Sequence, residues 1–225
     1  MTLHHLPDLI QGSQEWHDQR RGLVTASVVG RLLTPTLKVA DNDVSRGLTA
    51  TLAAERITGW TDETPMTSDM WRGVEMEPVA RDYYSEHHAQ AVETGFMLRV
   101  EDDWRLGYSP DGLVGDDGLI EIKAPRAKTH LRTILADEVP AHYMAQCQTG
   151  LLVSGRAWLD FVSFVGGMPL YRKRVLPDPA WADAIVAAVS RFEENAAQIV
   201  AAYTAATKTM PATERVSYDI DIKVA

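Results

Sequence analysis

Residues 109–123 constrain the fold more than any other part of this 225-residue chain. They read Ser109-Pro110-Asp111, a turn rich in glycine and aspartate, and then Leu119-Ile120-Glu121-Ile122-Lys123. Alternating apolar and charged residues mark a strand with one buried face, and Gly115-Asp116-Asp117-Gly118 supplies turn chemistry. Residues two apart on a strand share a face. Glu121 and Lys123 therefore point together, Ile120 and Ile122 point into a core, and Asp111 arrives at the same edge of the hairpin. Glu-x-Lys alone is also how an ordinary half-exposed strand reads. With Asp111 it becomes the set that metal-assisted phosphodiester cleavage needs. Asp and Glu offer hard oxygen ligands to Mg²⁺, the ion activates water and stabilises charge on phosphate, and lysine adds a point charge.

The rest of the composition narrows the class. A length of 225 residues, 45% of them hydrophobic, fits one domain with a substantial core. A single cysteine, Cys147, excludes a disulfide framework and a cysteine-based zinc or iron–sulfur site, fits a reducing cytoplasm, and reads as a small core residue. Met1-Thr2-Leu3-His4-His5 lacks the basic and apolar regions of a secretory leader, and no apolar run approaches the roughly 20 residues of a membrane span. A net charge of −9 opposes the basic footprint expected of a nucleic-acid binder. The basic residues are nevertheless clustered, with Arg20, Arg21 and Arg31 in one group and Lys123, Arg126, Lys128 and Arg132 in another.

The coarse element pattern predicts two short helices in 13–33, with Thr25 capping the second, then helices over 45–58 (capped by Ser45) and 69–88. Pro78 reads either as a kink in the latter or as the first turn of a new helix. Strands are expected at 92–100, 104–108, 118–123, 156–165 and 169–175, with a turn across 111–117. Further helices are expected at 126–136, 140–153 and 178–206. Alternation from Val216 to Lys223 suggests an edge strand or contact arm. This order implies an α/β (mixed α+β) domain. Trp71, Trp104 and Trp158 are expected in the core, and the seven histidines show no metal-ligand spacing.

The hairpin resembles the active-site motif of the PD-(D/E)xK nucleases, and the chain more closely resembles the lambda-type phage exonucleases, or YqaJ-type viral recombinases. Three further blocks, in the family's order, carry that likeness: Trp16-His17-x-x-Arg20-x-Gly22-x-x-Thr25-Ala26-Ser27, Gly73-Val74-Glu75-Met76-Glu77, and Tyr143-Met144-Ala145-Gln146-x-Gln148. The resemblance implies a restriction-endonuclease-like central mixed sheet flanked by helices. It also implies a Mg²⁺- or Mn²⁺-dependent enzyme that degrades one strand of linear double-stranded DNA from its 5′ end and leaves a 3′ overhang. A homotrimeric ring and a phage single-strand annealing protein as partner follow from it, as does a phage or prophage origin with action in the bacterial cytoplasm.

By position, the resemblance assigns Asp111, Glu121 and the backbone carbonyl of Ile122 to the metal. Glu77 becomes a supporting or second-metal carboxylate. Lys123 orients or deprotonates the attacking water, and Gln146 contacts that water, Lys123 or the metal's surroundings. Arg20, Ser27 and Ser109 match the family's pocket for a 5′-phosphate, which arginine reads through a two-pronged fork. A family arginine that follows the lysine motif aligns here with Thr129, with Arg126, Lys128 and His130 nearby; either Arg126 or Lys128 takes its place or the loop lengths differ, and the resemblance points to the basic cluster rather than to one residue in it. Two other classes compete: a restriction-like endonuclease, and a non-catalytic subunit that binds DNA ends.

Overall fold

The computed structural model describes residues 2–62 and 65–215, and the alternating segment from Val216 lies outside them. Strand β1 (Thr2–Leu6) leads into α1 (Gln14–Arg20), which begins where the Ser13 hydroxyl accepts the amide N–H of Trp16. Helix α2 (Asp43–Thr58) opens with a capping box between Asn42 and Ser45 and ends at Gly59, whose φ of 65° is the left-handed conformation that glycine adopts at low cost. Helix α3 (Ser68–His87) carries Pro78 in its interior without ending there. Next come β2 (Ala91–Val92), β3 (Phe96–Val100), β4 (Arg105–Tyr108), β5 (Gly112–Val114) and β6 (Gly118–Lys123). Helices α4 (Ala127–Ala136) and α5 (Ala141–Ser154), strands β7 (Trp158–Ser163) and β8 (Tyr171–Val175), and helix α6 (Pro179–Thr207) complete the described chain.

Five strands form the central mixed sheet in the order β2-β5-β6-β7-β8, and β1-β3-β4 form a second, antiparallel sheet. Among the described strands of this sheet only β6 and β7 run parallel, with α4 and α5 carrying the crossover between them. Alternation on β6 sorts its side chains as its sequence predicts. Ile120 and Ile122 pack against α3 through Ala80 and Tyr84. Leu119 faces the opposite layer, built from α2, α5 and α6, and packs there with Leu151, Phe161, Val189 and Phe192. The expected class, a mixed sheet between helical layers, is what forms.

Several local expectations need correction. Residues 26–33 form no α-helix. Thr25 bridges Gly107 in parallel fashion, and a 3₁₀ turn follows at Val29–Leu32. Asn42 caps α2, and Ser45 is its reciprocal partner inside the helix. The single strand expected at 92–100 is two strands in different sheets, and the turn expected at 111–117 contains β5. Strand β1, unexpected from its sequence, pairs with β3 through the register Thr2↔Val100 to Leu6↔Phe96. Trp104 is buried, but Trp71 is 53% exposed, and Trp158 is half-buried beneath the Arg174 guanidinium, 3.6 Å from its ring centroid. On α3 it is Ala80, Arg81 and Tyr84 that are buried.

Candidate active site

Glu121 lies on the same side of β6 as Leu119 and is fully buried. Such a carboxylate must be compensated. Its Oε1 accepts from the Lys123 ammonium at 2.7 Å and from the Gln146 amide on α5, while its Oε2 faces the Tyr108 hydroxyl at 3.3 Å. Asp111, at the entry to β5, accepts the backbone N–H of Ile122 at 2.6 Å. Pairing of β5 with β6 places Gly112 opposite Ile120, so the hairpin itself brings both carboxylates to one edge. Helix α5 approaches closely because residue 150 is glycine: a Cβ there would lie 2.7 Å from the Tyr108 ring.

The electrostatics follow from this crowding. Burial, then the charges of Glu121 and Glu77, push the Asp111 carboxyl well above the ordinary range. Burial raises Glu77 too, against the opposing Arg81 charge. For Lys123, burial favours the neutral amine, but Glu121 and Asp111 outweigh it and raise the ammonium above its ordinary value. Tyr108 is raised by burial and then by Glu121 and Asp111, so it stays a hydroxyl donor.

Among the described residues, no three His, Cys, Asp or Glu side chains gather around one point as a ready-made metal cage. The donor set nonetheless suits a hard divalent cation. The Glu121 charge adds to the cost of ionising Asp111 in this buried cleft, and a cation relieves that repulsion with oxygen ligands. The histidines are elsewhere. His130, for example, is buried, sharing hydrogen bonds with Ser163 at 2.7 Å and the Pro169 carbonyl at 3.0 Å.

A second constellation adjoins the first. Arg20, at the end of α1, stacks over Trp16 at 4.0 Å. Its guanidinium reaches Ser109 Oγ at 3.4 Å and both Thr25 Oγ1 and Ser27 Oγ at 3.3 Å. Trp16 Nε1 donates to the same Ser109 hydroxyl at 2.9 Å. Among the described residues no carboxylate pairs with Arg20, and burial alone lowers its pKa to about 10. An uncompensated guanidinium ringed by hydroxyls is an anion-binding arrangement. Arg20, Ser27, Ser109, Asp111 and Gln146 all line one cleft of about 200 Å³.

The structure therefore brings together eight of the residues singled out in the sequence, Arg20, Ser27, Glu77, Ser109, Asp111, Glu121, Lys123 and Gln146, along with the Ile122 backbone. Arg126 and Lys128 stand apart. Both are exposed at the start of α4, and Arg126 bonds Asp69 at 3.0 Å rather than lining the cleft. Sequence reasoning missed Arg81. Its buried guanidinium donates to the Asp111 carbonyl at 2.7 Å, to Glu77 at 2.6 Å and to Glu93 at 2.8 Å. The legible signal was the four-residue spacing of Glu77 and Arg81, which pairs side chains on a helix. Tyr108 was also missed, although it directly precedes the Ser-Pro-Asp motif.

Residues 15–157 match the YqaJ-like viral recombinase domain. The chain belongs to that family. Its fold matches the crystal structure of an alkaline exonuclease, LHK-Exo, from Laribacter hongkongensis, with a TM-score of 0.78 and 32% identity over 88% of this chain and 100% of that one. The same relative has been solved in complex with dAMP. A phage-related exonuclease from Haemophilus somnus 129PT shares the fold at a TM-score of 0.60, with 14% identity over 80% of this chain and 96% of that one. No curated protein matches. This YqaJ-family chain thus stands among exonucleases, and among the described residues none of its helices is long and apolar enough to cross a membrane.

Proposed function

We propose that the chain is a Mg²⁺-dependent exonuclease, with Mn²⁺ able to substitute, that degrades one strand of linear double-stranded DNA from a 5′-phosphorylated end and leaves a 3′ overhang. The observation that carries this reading is the shared cleft: the unpaired Arg20 guanidinium and the Asp111 carboxylate line the same recess. A pocket that neutralises a terminal phosphate beside a hydrolytic centre suits an enzyme working from an end. An endonuclease does not need one. That the 32%-identical relative has been solved in complex with dAMP supports a DNA substrate.

Asp111, Glu121 and the Ile122 carbonyl would hold the metal, with Glu77 alongside. The ion supplies Lewis-acid stabilisation of phosphate charge and lowers the pKa of water. Lys123, 2.7 Å from Glu121, contributes positive charge toward the phosphate and orients or deprotonates the attacking water. Gln146 and Tyr108 fix the Glu121 carboxylate from α5 and β4, and Arg126 and Lys128 offer exposed charge to the DNA backbone. A ring-shaped homotrimer working with a phage single-strand annealing protein, in the cytoplasm of a bacterial host, extends the reading to recombination.

Asp111→Asn, Glu121→Gln and Lys123→Ala should each remove cleavage while leaving the circular-dichroism spectrum unchanged. Full activity in all three would displace the site. Efficient cutting of closed circular DNA would favour the restriction-like endonuclease, and tight end binding without cleavage would favour a binding subunit.

A further inference from the structure

The Arg20 pocket is anchored from behind by a residue pair that touches neither the cleft nor the metal ligands. Gly22, two residues past Arg20, has a φ of +65°. Its N–H donates to the Glu55 carboxylate at 2.6 Å, and its carbonyl accepts from Arg56 Nε at 2.7 Å. Arg56 is itself locked by a bidentate pair with Glu193 of α6, at 2.6 and 2.9 Å, and its guanidinium lies 5.1 Å from the Phe192 ring centroid. Both partners of that ion pair are largely buried, with side-chain exposures of 19% and 16%. A Cβ at residue 22 would lie 2.5 Å from Arg56 Cγ, so glycine is required for the clamp to close. Beyond Gly22 the chain is pinned again, where Ala26 N–H donates to Gly107 at 2.8 Å and Gly107 N–H donates to Val24 at 3.0 Å. Arg20 and Ser27 thus flank a short stretch held at two points, Gly22 on one side and the Val24–Ala26 pairing with Gly107 on the other.

Arg20 itself is weakly held. With no carboxylate partner among the described residues, its side-chain bonds of 3.3–3.4 Å are near the limit of useful geometry. A backbone shift of a few tenths of an ångström breaks them. We infer that Glu55 and Arg56 are positioning residues whose two-sided hold on Gly22 sets the enzyme's discrimination between phosphorylated and unphosphorylated 5′ ends. This rests on reading the Arg20 cleft as a phosphate pocket.

The test compares kcat/KM on linear duplexes carrying a 5′-phosphate or a 5′-hydroxyl. Wild type and Arg20→Ala calibrate the pocket. Arg56→Leu, the charge-balanced double variant Arg56→Leu/Glu193→Leu, Glu55→Ala and the partly rescuing Arg56→Lys probe the clamp, with folding checked by thermal melts. Misplacement by ~1 Å can cost ~100-fold in rate, so the smaller shift expected here should reduce the phosphate preference by about tenfold, chiefly through KM. Arg56→Lys should recover part of it. A merely structural role would lower both substrates equally and leave the ratio intact. A wild-type ratio in the folded clamp variants, with the ratio lost in Arg20→Ala, overturns the inference. If wild type shows no preference, or Arg20→Ala retains it, the phosphate-pocket reading fails, and the inference falls with it.

Discussion

Replacing Arg81 with methionine tests the electrostatic design of the site away from catalysis. The substitution keeps a long side chain but removes three hydrogen bonds and one buried charge. The bond to the Asp111 carbonyl, from a charged donor, is worth about 1.5 kcal/mol. The bond to Glu77, whose side chain is 27% exposed, contributes about 1.5–2 kcal/mol. That to Glu93, 68% exposed, contributes about 0–1 kcal/mol. The expected loss is about 3–4.5 kcal/mol at neutral pH, consistent with breaking a buried pair. Glu77 adds a pH signature. Burial already raises its pKa, and Arg81 is the largest opposing influence. Without Arg81 the folded carboxyl rises further and binds protons that the unfolded chain releases, so stability falls as pH climbs through that window. The deficit should therefore be largest at neutral pH and smallest near pH 4, where Glu77 is protonated in both states. Reversible urea denaturation across pH measures it. A Glu77→Gln/Arg81→Met cycle should return a coupling of about 1.5–2 kcal/mol. A deficit below about 1 kcal/mol, a pH-independent one, or a coupling near zero would refute this account.

Asp160, fully buried, accepts from Tyr84 at 2.7 Å, from Arg172 at 3.0 Å and from Arg174 at 2.8 and 3.0 Å. Burial opposes its ionisation, but these bonds win and its pKa is lowered. Asp160→Asn should cost about 2–4 kcal/mol above the ordinary carboxylate range, with the gap closing as pH falls through the lowered folded pKa. Gly118→Ala would set a Cβ 2.2 Å from the Trp158 ring, itself held under Arg174, and should lower the denaturation free energy by about 1–3 kcal/mol. Cys147, buried beside Glu121, has its thiol pKa raised by burial first, so Ellman's reagent should react with it only as fast as the chain unfolds.

What was legible beforehand follows the range of the interactions. Local alternation on β6 gave Ile120 and Ile122 to one side and set Glu121 beside Lys123, because period-two geometry leaves little freedom. The cleft was legible only through the resemblance, since nothing in local pattern joins Arg20 to Ser109 across 89 residues. Strand β1 was invisible because its residues are mostly exposed and lack alternation; pairing with β3 alone defines it. Thr25 was mistaken for a cap because its hydroxyl suits that position, whereas the bridge to Gly107 claims its backbone. Trp71 was placed in the core on hydrophobicity, which does not say which face of α3 meets the sheet: Ala80 and Tyr84 do. The roles of Arg81 and Arg56 depend on distant carbonyls and carboxylates, which a linear sequence does not bring together.

The most direct test of the central claim uses linear duplex DNA with a 5′-phosphate on one strand, the complementary strand labelled at its 3′ end, with and without Mg²⁺. The account predicts Mg²⁺-dependent loss of the phosphorylated strand from its 5′ end, survival of the labelled strand as a 3′ overhang, and no reaction in Asp111→Asn. Degradation of the labelled strand from its 3′ end, or equal activity in the Asp111→Asn variant, would contradict it.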